Sequence, residues 1–191
     1  MILRISSFVL LTILSLSACS PVKTISWTTH GESFTEFTAF DIQPIIYDEG
    51  IIVDQGVLSY WNDQIKEEFK LQNLQLTNDP RDRNGVLIVK SIILTYEYKV
   101  ISVLYLQGSR NGVMRCTIRT TLVNKSTGNV VGEIVTDKET GTLIAIDQRI
   151  TPSGLDEGAK WNLKKSAEAV AKEVANIIHT DESNIPADES K

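Results

Sequence analysis

The sequence of 191 residues predicts an α+β sandwich, β-α-β-β-β-α in chain order, with helices on one face of a mostly antiparallel sheet. Three observations predict it. Residues 113–124 alternate, with Met114, Cys116, Ile118 and Leu122 on one face and Arg115, Thr117 and Arg119 on the other. Lys125-Ser126-Thr127-Gly128 then supplies a turn, and residues 130–137 read as the returning antiparallel strand. Two further stretches carry helical spacing. Val57, Leu58, Trp61, Ile65 and Phe69 form one apolar face, and Leu163, Val170, Val174 and Ile177, with Ala167 and Ala171 beside them, form another.

The folded domain is expected over 37–179. Its first strand runs from Phe37 to Ile42, and a loop with Pro44, Asp48, Glu49 and Gly50 leads into the first helix. Asp63, Lys66, Glu67 and Lys70 lie off that helix's apolar face. Asn73, Asn78, Asp79, Pro80, Asn84 and Gly85 signal turns around a short strand at Leu74-Gln75-Leu76. A strand rich in Val, Ile and Tyr follows over 86–99. The last helix is expected over 155–178, behind Pro152-Ser153, with Lys164, Lys165, Glu168, Lys172 and Glu173 facing solvent. Residues 180–191 read as a disordered acidic tail.

The amino terminus carries an address. Arg4 precedes an apolar run with Phe8, Val9, Leu10, Leu11, Ile13 and Leu14, and small residues end at Ala18-Cys19. That is the order of a secretory signal, over 1–18, and the run is too short for a membrane span. Leu16-Ser17-Ala18-Cys19 resembles the bacterial lipobox. The resemblance implies that Cys19 becomes the first mature residue and carries several acyl chains of the palmitate type. Each buried CH₂ adds about 0.8 kcal/mol, so several chains give permanent attachment. Ser20 stands where an Asp would favour retention at the inner membrane, which implies the outer membrane, on its periplasmic face. Loss of Arg4 with the signal takes the net charge from -5 to -6. Residues 19–36 read as a lipid-anchored tether with a reach of roughly 20–25 Å. Within it, Trp27 either rests at the membrane interface or docks on the domain.

Composition excludes several function classes. With 42% apolar and 23% charged residues the chain suits a globular fold. A net charge of -5 argues against nucleic-acid binding. Two Cys and two His argue against a metal cluster or a disulfide framework, and no metal or cofactor is expected. Cys116, on an alternating strand, reads as a small buried apolar residue.

No catalytic constellation emerges. His30 falls in the tether and His179 at the end of the last helix. Asp41, Asp48, Glu49 and Asp54 cluster around one loop, and they carry the alternative of a carboxylate-dependent envelope hydrolase. Arg115 and Arg119 could form a basic strip or a solvated sheet face. Two segments are too apolar for solvent loops. One is Val100-Ile101-Ser102-Val103-Leu104-Tyr105-Leu106, and the other is Thr142-Leu143-Ile144-Ala145-Ile146. In a sheet built of hairpins both project from the same end. They either extend strands and complete the core, or form a contact surface for a partner, another copy or the membrane. Val103, Leu104, Tyr105, Leu106, Leu143, Ile144 and Ile146 are the candidate contacts.

Residues 86–178 resemble a group of uncharacterised bacterial envelope lipoproteins. The resemblance lies in the long apolar strand, the loop with Gly108 and Gly112, the stretch from Thr121 to Glu133 around Asn124-Lys125-Ser126-Thr127-Gly128, and the closing Ala-rich helix. Their fold is similar to the amino-terminal domain of TolB and to lipoproteins of curli and exopolysaccharide secretion. The lipobox, the tether, the missing catalytic constellation and the two apolar segments together point to a non-enzymatic, lipid-anchored accessory to secretion, export or cell-wall machinery, partnered by an envelope protein or by copies of itself. The resemblance carries over no catalytic residue, and the apolar first loop departs from the group. A periplasmic carrier of an apolar ligand is the remaining alternative.

Overall fold

The computed structural model describes residues 21–29, 34–104, 109–145 and 157–183. In chain order these form β1 (Lys23–Thr28), a 3-10 turn (Phe34–Glu36), β2 (Ala39–Ile42), β3 (Ile46–Tyr47), α1 (Gln55–Leu71), β4 (Val86–Leu104), β5 (Ser109–Asn124), β6 (Val130–Ala145) and α2 (Glu157–Ser183). The strands make one sheet in the order β1-β6-β5-β4-β2, with β3 also on β4. Ladders among β4, β5, β6 and β1 are antiparallel, and β2 and β3 run parallel to β4. The α+β class and the helices on one face are as expected.

The order expected from sequence lacks two strands. Lys23–Thr28, read as tether, pairs with β6 from Lys23↔Asp137 to Thr28↔Gly132. Phe34, also assigned to the tether, is buried in the core. The tether of 19–36 is therefore corrected. The segment does alternate, but Ile25 and Trp27 share the row of Val135 and Glu133, on the face turned away from the helices. Ile25 is 71% exposed, so burial gives no sign of the strand. The opposite face of β1 meets α2, where Ser26 Oγ donates to Glu173 Oε1 at 2.5 Å.

The far edge is built differently. β2 and β3 form an interrupted strand broken at Pro44, which has no N–H to give to a ladder. At the break Ile45 turns into the core, and its N–H is satisfied by Asn62 Oδ1 of α1 at 2.9 Å. The outer side of β2 is covered, because Phe40 N donates to Gln75 O at 2.8 Å and Thr77 N donates to Phe40 O at 2.9 Å. The short strand expected at Leu74-Gln75-Leu76 is thus a single bridge, Phe40↔Leu76.

α1 begins at Asp54, whose Oδ1 accepts from Gly56 N at 2.7 Å. It ends where Asn73 adopts φ 59° and Leu74 N donates back to Phe69 O at 3.0 Å. Its face of Val57, Trp61, Ile65 and Phe69 is fully buried. Phe69 meets Phe40 of β2 edge-to-face, with ring centroids 5.5 Å apart. α2 closes the core with Leu163, Ala167, Val170, Ala171 and Val174. Each fully buried large apolar side chain contributes about 1.5–3 kcal/mol.

The three long strands carry the rest of the core. Leu87, Val89 and Ile93 of β4 point inward with Met114, Cys116, Ile118 and Leu122 of β5 and Ile134 of β6. A β-bulge between Ile93 and Thr95 shifts the inward positions of β4, so that Tyr96 is the next buried residue. Cys116 is wholly buried as expected, and burial pushes its thiol up to about 12.

Candidate functional site

The two apolar segments are strands, not loops. β4 continues through Val103 and Leu104, and β6 through Leu143 and Ile144. Register brings them together around the start of β5. Val103 pairs with Arg110, which pairs with Ile144, and Leu104 pairs with Ser109, which pairs with Ala145. This shared end of the sheet is called the tip below. Tyr105, Leu106 and Ile146 lie outside the described residues, as does the lipidation candidate Cys19.

The tip also differs in charge from the remainder. Residues 98–113 hold Lys99 and Arg110 and no acid, and 140–145 hold no charge, in a chain of net charge -5. Charges of both signs gather at the opposite end. There the turn after β5 brings Lys125 Nζ within 2.9 Å of Asp41 Oδ2 and 3.1 Å of the Asp79 carbonyl, and Thr77 donates to Asp82.

The open face of the sheet is a lattice of paired charges. Arg115 grips Asp137 with two bonds, Nε to Oδ1 at 3.0 Å and Nη2 to Oδ2 at 2.8 Å, and Thr117 donates to the same carboxylate. These bonds, Arg115 first, hold the Asp137 carboxyl below its ordinary range. Arg119 lies 4.0 Å from Glu133. The two arginines are therefore neutralised by β6 and do not present a basic strip.

The loop acids are spread among structural tasks. Asp41 is paired with Lys125 and accepts from Gln43, Asp48 accepts from Glu49 N, and Asp54 caps α1. Among the described residues no group of three His, Cys, Asp or Glu is placed to hold a metal ion. No helix there is long and apolar enough to cross a membrane.

Two features escape sequence reasoning. The first is an open cleft of about 320 Å³ between β2, the end of α1 and the last turns of α2. Phe37, Phe40, Leu74 and Ile178 give it apolar walls, and Asn73 and His179 stand among its polar residues. Its residues come from three separate stretches, so no local motif announces it. The second is a set of buried polar groups. Asn162 of α2 is completely buried, and its Nδ2 donates to Met114 O at 2.8 Å while Thr140 donates to its Oδ1 at 2.5 Å. Glu68 of α1 is 5% exposed, and burial, then the nearby charge of Glu168, raises its pKa. Glu168 itself is held low by Lys165 and Lys172, at 2.6 and 2.7 Å.

No protein-family model matches the chain, and no curated protein matches it. The chain is similar in fold to several solved structures, two of them bacterial lipoproteins by name. A minor lipoprotein from Acinetobacter baumannii gives a TM-score of 0.45 at 11% identity, over 73% of this chain and 92% of that one. The PelC dodecamer from Paraburkholderia phytofirmans gives 0.46 at 9% identity, over 78% and 97%. A DUF4136 family protein from Bacteroides thetaiotaomicron gives 0.46 at 10% identity, over 84% and 98%.

Proposed function

We propose that this chain is a lipid-anchored cell-envelope protein that works by binding or assembly, as an accessory to secretion, export or cell-wall machinery. The observation that carries the reading is Leu16-Ser17-Ala18-Cys19, set behind an apolar run and four residues ahead of β1. An acylated Cys19 at that distance holds the folded body against the membrane. Ser20, where an Asp would favour retention at the inner membrane, favours an anchor in the outer membrane. The engagement of Asp41, Asp48 and Asp54 in pairing and capping supports binding over hydrolysis.

Mass analysis of the mature amino terminus tests the anchor. The wild-type chain is expected to begin at an acylated Cys19 and to sediment with membranes. Cys19→Ala is expected to lose the acyl mass. An unmodified Cys19 in the native host overturns the reading. The cleft of about 320 Å³ favours one second reading, a carrier of an apolar ligand. Native mass spectrometry of the gently extracted protein would show the bound lipid as added mass on the chain.

A further inference from the structure

We infer that Lys23, Ile25 and Trp27, the open-face side of β1, rest in the headgroup layer of the leaflet that holds Cys19. The inference rests on the anchor proposed above and adds a second, non-covalent contact, made by side chains alone.

Strand alternation decides which side chains are offered. Lys23, Ile25 and Trp27 share the row of Asp137, Val135 and Glu133, on the face without helices. Ile25 is 71% exposed and Trp27 47%, and Val135, half-buried beside Ile25, continues the apolar stripe. The other side of β1 is taken, since Ser26 meets Glu173 of α2, with the charged Lys172 next to it in the chain.

Chain length decides what lies within reach. Four residues separate Lys23 from Cys19, a span of at most about 14 Å. Trp27 stands a further four residues along the strand, about 13 Å. The whole stripe therefore lies within about 27 Å of the acylated residue, and its near end within one short span of the membrane surface. Of the two sides that β1 could turn to that surface, one is apolar and the other carries Glu173.

The chemistry is that of a membrane interface. An indole buries its ring and keeps its N–H for a polar partner, which suits Trp27 to headgroup level. Lys23, at the end nearest the anchor, suits anionic headgroups. The acids of the next row are matched by arginines, Asp137 by Arg115 at 2.8 Å and Glu133 by Arg119 at 4.0 Å, so these pairs bring no net charge to the surface. Among the described residues the outer edge of β1 pairs with no strand, and its backbone groups require water. The headgroup layer is about 5–7 Å deep, so side chains enter it while the backbone of β1 stays on its water side. This contact turns the helical layer away from the membrane.

The test uses the full-length, lipidated protein in vesicles of phosphatidylethanolamine and phosphatidylglycerol whose acyl chains are brominated near the headgroup. The amino terminus of the same sample is examined by mass. The chain has three tryptophans, of which Trp61 is buried and Trp161 stands on α2, so Trp27→Phe isolates the share of β1 in the emission. The aromatic replacement at a half-exposed position preserves the fold. We expect bromine to quench the wild type and Trp27→Phe to lose at least half of that quenching. Equal quenching of both, or none in either, on an acylated chain overturns the contact and keeps the anchor. Quenching through Trp27 on a chain with an unmodified Cys19 keeps the contact and overturns the anchor. A Trp27 that ignores bromine, with Ile25→Cys cross-linking between copies, assigns the stripe to self-assembly and also overturns the proposal.

Discussion

Asn162 and Glu68 show how much a single buried polar residue can decide. Asn162 ties the first turns of α2 to β5 and β6 through the Met114 carbonyl and the Thr140 hydroxyl. These bonds fix where along the sheet the helix sits, which apolar packing alone does less sharply. Glu68 is the opposite case, an acid held at the α1–α2 interface under burial and beside Glu168. Its folded pKa lies above the ordinary glutamate value, so the protonated form is the one the fold favours. Its contribution is present below the ordinary glutamate range and is lost as pH rises through the raised value. Glu68→Gln is therefore expected to raise Tm at pH 7, with the gain shrinking as the pH approaches 4. A Tm difference that is flat across that range would contradict the assignment. Neither residue stands out in the sequence, since residue type says polar and only packing says buried.

At the level of elements, the junctions explain more than the strands do. Gly85 precedes β4 with φ 67°, and an added Cβ would stand 2.9 Å from the Glu36 carbonyl. Its own carbonyl accepts from Thr38 N at 2.9 Å and Ala39 N at 3.2 Å, which starts β2 in parallel register with β4. Gly85→Ala combines the left-handed penalty with a backbone clash, and about 2–3 kcal/mol of destabilisation is expected in urea unfolding. A loss under about 0.5 kcal/mol, the size of an ordinary surface change, would show that the crossing relaxes. The periodic elements were open to reading. α1, α2 and the β5–β6 pair follow from spacing, because each buries one face against the core. The full length of β4 did not, since the bulge beside Leu94 breaks its alternation and the run from Val100 to Leu104 is apolar on both parities. β1 was hidden for the converse reason, its apolar side being the one turned to solvent.

On the scale of the whole molecule, the sheet is unevenly held. β5 and β4 lie inside it, while among the described residues β1 pairs on one side only, with β6. Each of its residues is exposed. Hydrogen exchange is expected to release the β1 amides well before those of β5, and the same protection in both strands would refute this order of opening. The candidate contacts had half of their meaning in the sequence. Their apolar character and shared end were legible, because consecutive hairpins return to one side. Their register was not, because the bulge between Val100 and Ser102 leaves no mark in the alternation.

The two borders of the sheet are covered over only part of their length. On one side β2, the break at Pro44 and β3 cover β4 as far as Ile93, and on the other β1 covers β6 as far as Asp137. Among the described residues the ladders beyond those points leave β4 and β6 paired on one side each, with β5. Growth by adding strands therefore has a place of attachment on either side of the sheet. A ring or a fibre requires two rims on every subunit, and a pair closed through one of them would leave the other free.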